Sequence, residues 1–491
     1  MSRLLHVRRS MAGASLQQGS RGAGGWQTLI GMLLVAACTS GCAWKAYRAQ
    51  TLDLPAADAT AQALRLDDEA TRTLLAGAGV DLRDWPAVAW SRETLLLPLL
   101  AKHPDMQVAR ARVAAAWARV PAVQQPVNPE LSTRLENHSQ RGDNGSPWGI
   151  GAGLQFTFNT RPLRAAQGGV AAAEAAEADV AAGEVAWRLY RQLGDALLAL
   201  QAAEEGRRLA QDALALADAR AESAAIRQRY GAAPALEVQL AQEALLAARR
   251  QLANVEAAAA VSRAQLAQVM ALPPAALDTL RLAPWPVLAP LTEGEGGGPD
   301  AASARGIALR NRLDLARDIA FYEVTEANVR LEVARQYPQV RLGPGLVWDQ
   351  GDNIWQIGLA LPLALLQRNL AAIEAAEARR AAQAAQVLAR QAAVAGDVES
   401  ARQRVAALVR PLLVAGREVV AAETRVDLVR RQFDAGAADA ATLIAARTVL
   451  LQARRGAHDA TVLWRQAQWA LEAALQSPLR SADNPSDAGG H

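Results

Sequence analysis

The sequence predicts a mainly α fold with membrane β: two structural repeats, each with two transmembrane strands and long coiled-coil helices. Three observations carry this. The order strand, polar loop, strand, long helix, glycine-containing turn, return helix occurs twice. Four stretches of about ten residues alternate apolar and polar side chains, a length that spans a bilayer when tilted. Between them run helical segments too long for a globular domain to hide. Composition agrees. The 491 residues exceed one domain of roughly 100–200 residues. Half the chain is apolar (51%) but only 4% is aromatic, so Ala, Val and Leu must form closely packed helices. With 21% charged residues and a mean hydropathy of zero, neither a strongly disordered chain nor a polytopic helical membrane protein fits.

Residues 1–37 read as an export signal: Arg3, Arg8, Arg9 and Arg21, then the apolar run Leu29 to Ala37. The run is too short for a comfortable transmembrane helix. The two cysteines, Cys38 and Cys42, stand together at its exit, a placement that suits lipid attachment. Val35-Ala36-Ala37-Cys38 resembles a bacterial lipobox, with Cys42 as the alternative acceptor. Without the four signal arginines the formal charge of +3 becomes −1, which removes the electrostatic case for nucleic acid.

Residues 38–90 form an N-terminal anchor and equatorial segment, and the first repeat spans 91–272. It opens with a helix at His103-Pro104-Asp105, where a first-turn proline costs no hydrogen bond. Strands follow at about 130–137 and 148–160. In the second, Ile150, Ala152, Leu154, Phe156 and Phe158 alternate with Gly151, Gly153, Gln155, Thr157 and Asn159. Leu163 to Arg229, about 67 residues, would as one helix reach roughly 100 Å. Its Val185, Leu189, Leu193, Leu197 and Leu200 form a packing stripe. Residues 273–304, rich in Pro and Gly, read as a linker. The second repeat, 305–479, gives strands at about 339–349 and 354–364 and a helix from Leu370 to Gln432; 480–491 is a tail. Four strands in one chain cannot close a barrel, and open edges are not viable in lipid, so the chain must oligomerise.

The Pro129 and Pro338 strand starts, Leu361-Pro362-Leu363 leading through Arg368-Asn369, and the turns Tyr230 to Val238 and Phe433 to Leu443 resemble the TolC-type outer-membrane efflux proteins over nearly all of Ser91 to Leu479. The resemblance implies a homotrimer with a 12-stranded β-barrel continued by an α-helical periplasmic tunnel. It implies a lipid-anchored outer-membrane protein working with a periplasmic adaptor and an inner-membrane pump of the resistance-nodulation-division type. By the same resemblance Tyr230, Gly231, Leu236, Glu237, Val238, Phe433, Asp434, Gly436, Asp439, Thr442 and Leu443 form a docking and gating tip. The first turn lacks two residues between its aromatic and its glycine that the second has. Gly351-Asp352-Asn353 before the last strand and Arg368-Asn369 after it are similar to members that serve heavy-metal resistance pumps, which places metal-ion cargo ahead of drugs, other small molecules or secreted protein.

Catalytic chemistry finds no home. The five histidines share no helix face, no His-Glu-x-x-His, P-loop or Gly-x-Ser-x-Gly occurs, and Gly149-Ile150-Gly151-Ala152-Gly153 lies in an alternating strand. The expectation is therefore no enzyme, no metal site and no cofactor. The competing reading from another class is a lipid-anchored structural coiled-coil rod.

Overall fold

The computed structural model describes residues 45–83, 85–86, 89–139, 146–278, 280–285, 299–349, 351–362 and 367–479. The chain divides into a unit ending at Asp58 and a unit from Ala59 onward. The first shows an extended stretch and the start of helix α1 (Leu54–Gln62). The second holds everything below. It begins with α2 (Glu69–Gly77), the short strand β1 (Ala89–Trp90), α3 (Arg92–Lys102) and α4 (Pro104–Val123). Strands β2 (Glu130–Asn137) and β3 (Trp148–Phe158) lead into α5 (Arg161–Arg229) and α6 (Ala235–Val269). After a 3₁₀ turn and β4 (Arg281–Leu282), the same order returns. It comprises α7 (Ala301–Asn311), α8 (Leu313–Ala334), β5 (Val340–Asp349), β6 (Asp352–Ala360), α9 (Leu370–Asp434) and α10 (Ala440–Leu475).

Strand ends differ from the alternation in places, each for a local reason. The second strand stops at Phe158, two residues early, because Thr160 turns its hydroxyl to the Leu163 amide (3.4 Å) and caps α5. That helix starts at Arg161, with Pro162 in its first turn. The last strand runs Asp352–Ala360 instead of 354–364: Gly351, with φ +109°, lets the ladder close at Asp349 opposite Asp352. At its other end Pro362 has no N–H for a ladder.

The four strands form one antiparallel sheet in the order β2-β3-β5-β6. Residues directly opposed across a ladder share a face, and the register lines them up by kind. Thr133, Ala152, Leu346 and Trp355 form one row; Leu135, Ile150 and Trp348 another; Phe156, Leu342 and Leu359 a third. Their face is apolar and bare: Trp355 is 81% exposed and Ile357 79%. The other face carries Ser132, Gly153, Gly345 and Gln356 in one row and Arg134, Gly151 and Val347 in the next. β2 and β6 are the free edges.

Ion pairs set the lateral order of the helices near the sheet. α4 reaches α5 through Arg119–Glu174 (2.8 Å) and Trp117 Nε1 donating to Asp179 (3.0 Å). α8 sends a cation one way and anions the other: Arg317 to Glu177 (2.8 Å) and Glu184 (3.0 Å) on α5, Asp318 to Arg390 (2.9 Å) and Glu326 to Arg380 (2.8 Å) on α9. The order is α4-α5-α8-α9. Beyond the level where α8 begins, α6 and α10 take over and the order becomes α6-α5-α10-α9. None of the described helices is long and apolar enough to cross a membrane.

A belt wraps one face of this layer where the two halves meet. Leu66, Leu75, Leu95 and Leu99 pack with Leu189, Leu193, Leu197 and Leu200 of α5 and with Leu266 of α6. The segment that composition assigns to a linker is partly built into this core. Ala276, Leu277 and Trp285 are buried, β4 pairs in parallel with β1, and Trp285 donates its amide to Gln201 Oε1 (3.1 Å). At its centre Arg92, buried, bonds Glu472 of α10 at 2.9 Å and lies 4.9–5.4 Å from the rings of Trp469, Trp285 and Tyr190. Burial pushes the Glu472 carboxyl up against the pull of Arg92, and pushes the Tyr190 phenol to about 12. Gly194 of α5 makes this contact possible, since a Cβ there would fall 2.1 Å from the Trp469 ring. Replacing Gly194 by Val should therefore cost about 1–3 kcal/mol through overpacking. The measurement is a thermal melt of the purified protein, and an unchanged midpoint would remove Gly194 from this role.

Candidate functional site

The two helix-hairpin turns lie at the end of α5 and α9 farthest from the sheet. Each ends its long helix with the same backbone closure. In the first, Ala232 donates to the Arg227 carbonyl (2.7 Å) and Gly231 to Gln228 (2.9 Å); in the second, Ala437 donates to Gln432 (2.7 Å) and Gly436 to Phe433 (2.9 Å). The glycines carry φ +76° and +73°, which only glycine adopts without strain. Matched on these glycines the turns are equally long, and the aromatics are not counterparts. Tyr230 occupies the C-cap and Phe433 lies two residues before it, so the two residues missing between aromatic and glycine reflect a moved aromatic and not a shorter turn.

The return helices start differently. Asp439 accepts from the Thr442 amide (2.8 Å) and hydroxyl (2.6 Å), a complete N-cap. Pro234 occupies the matching position without a side-chain cap. There Arg227 closes the turn, bonding Glu237 Oε1 (2.6 Å) and the Ala232 carbonyl (3.2 Å). The Thr442 hydroxyl and amide hold the Asp439 carboxyl below the usual carboxylate range, and Arg227 adds to the effect, so the two turns sense each other's charge.

Of the remaining residues read from the sequence, Tyr230 (85% exposed) and Leu236 (66%) stand bare, while Phe433 is partly covered and Asp434 exposed. Val238 is buried with Ala224 and Ala241 between α5 and α6, and Leu443 is buried too. These two hold the hairpins together and are not available to a partner. Cys38 and Cys42 lie outside the described residues. Arg227 is the residue that sequence reading missed, because nothing local marks a cation that acts ten residues on, across a turn. Among the described residues no three His, Cys, Asp or Glu side chains gather as a metal site.

Gly231→Ala and Gly436→Ala should each cost about 1–2 kcal/mol locally through left-handed strain, seen as faster amide exchange in the last turn of α5 or α9. Asp439 titrates from a lowered folded value, so its cap is intact above the ordinary carboxylate value of about 4 and is lost as pH falls through the lower one. Exchange protection in the first turn of α10, taken relative to the intrinsic rate at each pH, should fall on acidification in the wild type. In Asp439→Asn, which caps without titrating, the protection should stay constant.

The outer membrane efflux protein family model matches residues 95–272 and 305–476, most of the chain. No curated protein sequence matches. Among solved structures the fold is similar to the outer-membrane channel OprN (19% identity, TM-score 0.64, 90% of this chain and 100% of that one). It is similar also to the outer membrane protein VceC from Vibrio cholerae (18%, 0.62, 79% and 97%) and to CusC (16%, 0.62, 81% and 96%). With the sheet, the helical layers and the paired turns in place over those same residues, the chain belongs to the outer membrane efflux protein family.

Proposed function

We propose that the protein is the passive exit duct of a tripartite efflux system, a homotrimer whose copies close head to tail. One observation carries this: all three layers end on the same two flanks. β2, α4 and α6 form one flank and β6, α9 and again α9 the other. Unpaired strand edges in lipid must find a partner, and joining unlike flanks of successive copies closes a ring. Exposed apolar residues fall at matching heights from the turns, Leu240 and Leu246 on α6 against Leu428 and Val420 on α9. Three copies then give twelve strands whose apolar face meets lipid, with the helices continuing the bore into the periplasm. Acylation at Cys38, or at Cys42, anchors each copy. The exposed Tyr230 and Leu236 and the closures around Gly231 and Gly436 face the periplasmic adaptor and the inner-membrane pump, of the resistance-nodulation-division type.

For cargo, the Gly351 to Asn369 segment supports heavy-metal cations, which would pass hydrated through a wide lumen. A second reading, export of small organic molecules, is favoured by the arginine-lined groove described below. The duct itself is tested by fractionation. The protein should stay with the outer membrane through alkaline extraction and migrate as a large species in unheated detergent gels; an extractable monomer would overturn it in favour of a coiled-coil rod. Cargo is tested by growth of a deletion strain, with and without the gene on a plasmid. Sensitivity confined to copper, silver, zinc, cobalt or cadmium supports metal, and sensitivity to dyes and antibiotics supports the second reading.

A further inference from the structure

Midway along the long helices lies a groove of ≈ 680 Å³ with α5 and α9 as walls, α10 as floor and the start of α8 closing one end. On α5 its residues Trp187, Arg188, Arg191 and Asp195 lie on the side opposite Leu189, Leu193 and Leu197, which pack beneath the belt. On α10, Ala470 and Ala473 are likewise opposite Leu471 and Leu475. The groove therefore looks away from the belt.

Most of its charges are already engaged. Arg312 holds Asp314 (2.6 Å) and Asp397 (3.3 Å), Arg188 holds Asp105 (3.3 Å), and Glu184 is held by Arg317 (3.0 Å). Asp195 accepts from Trp469 Nε1 (2.8 Å). Two guanidiniums are left over. Arg191 on one wall and Arg404 on the other are exposed and make no hydrogen bond or ion pair with any described residue. A guanidinium is a planar fork that fits carboxylate, sulfonate or phosphate with two parallel bonds. Trp187, packed on Tyr190 (5.0 Å between ring centroids), stands beside Arg191 on the α5 wall, and Ala470, Ala473 and Ala474 line the floor beside Trp469. The volume falls within the range of small-molecule sites, roughly 300–1,000 Å³.

We propose that this groove is a binding site for aromatic organic anions, with Arg191 and Arg404 taking the anionic group from opposite walls and Trp187 facing the ring. The binding chemistry stands on this chain alone; that the groove opens into the bore, so that its ligand is cargo, rests on the duct reading above.

The test is calorimetric titration of the full-length protein in detergent micelles with naphthalene-2-sulfonate, using uncharged naphthalene-2-sulfonamide as the control for partition into detergent. Saturable binding near one per chain is expected, weakened about tenfold by Arg191→Gln or Arg404→Gln and on the order of a hundredfold by both, as charged hydrogen bonds are lost. Binding should also weaken in high salt. Each single variant is a test in its own right should the double variant fail to assemble. No saturable binding, equal binding of the sulfonamide, or affinity unchanged in the variants would each overturn the site. Failure of binding in an extraction-resistant trimer would leave the duct standing, whereas sulfonate binding by an alkaline-extractable monomer would keep the site and remove the duct.

Discussion

Four separate parts of the chain meet at the guanidinium of Arg92. It comes from the first turn of α3, its carboxylate partner Glu472 from α10, and its aromatic neighbours from α5, α10 and the segment between the repeats. A charge removed from water this far is costly unless paired and surrounded, and losing one partner of such a pair commonly destabilises by about 3–5 kcal/mol. A second carboxylate, that of the more exposed Glu93, meets the guanidinium at 3.0 Å, and the three aromatic rings add their negative faces to the cation. Trp469 does double duty, giving its ring to Arg92 and its indole N–H to Asp195. Because α5 and α10 belong to different repeats, this contact fixes the height of one long hairpin against the other. The level at which the two turns sit side by side, and the groove between α5 and α9, both follow from it.

Local pattern was enough for the strands and the long helices. Alternation over ten residues assigns Leu131, Ile150, Leu342 and Ile357 to one face, and the ladders place them there. Strand ends were less legible, because a cap at Thr160 and a two-residue turn at Gly351 are decided by single residues that alternation does not weigh. The belt was the least legible part. Trp285 sits in a stretch whose prolines and glycines speak for a linker, yet its neighbours Gln201 and Trp469 are 84 and 184 positions away. Long-range contacts of that kind leave no periodic trace. At the turns the sequence invites pairing Tyr230 with Phe433 by chemistry, whereas backbone closure pairs glycine with glycine; the carbonyl partners of the amides decide, and these are invisible before folding.

The two turns also show how one backbone solution tolerates different side chains. Asp439 caps its helix by itself, while Pro234 contributes only a fixed φ and leaves the task to Arg227 and Glu237. A half-exposed ion pair in one turn and a capping carboxylate in the other satisfy the same geometric demand.

The flanks differ in continuity. On one side α9 runs unbroken for 65 residues, past the belt and through Pro411. On the other the same length is shared by α4, which starts at Pro104, and α6, which ends at Val269, with both ends at the level of the belt. At that level the α4/α6 flank offers chain ends with no helical hydrogen bond to break, whereas α5 and α9 cross it as unbroken helices, α9 with one amide bond already missing at Pro411. Mechanically a jointed flank lies beside two continuous spars, so a swing of the far ends relative to the sheet opens the joint freely and must flex α5 and α9.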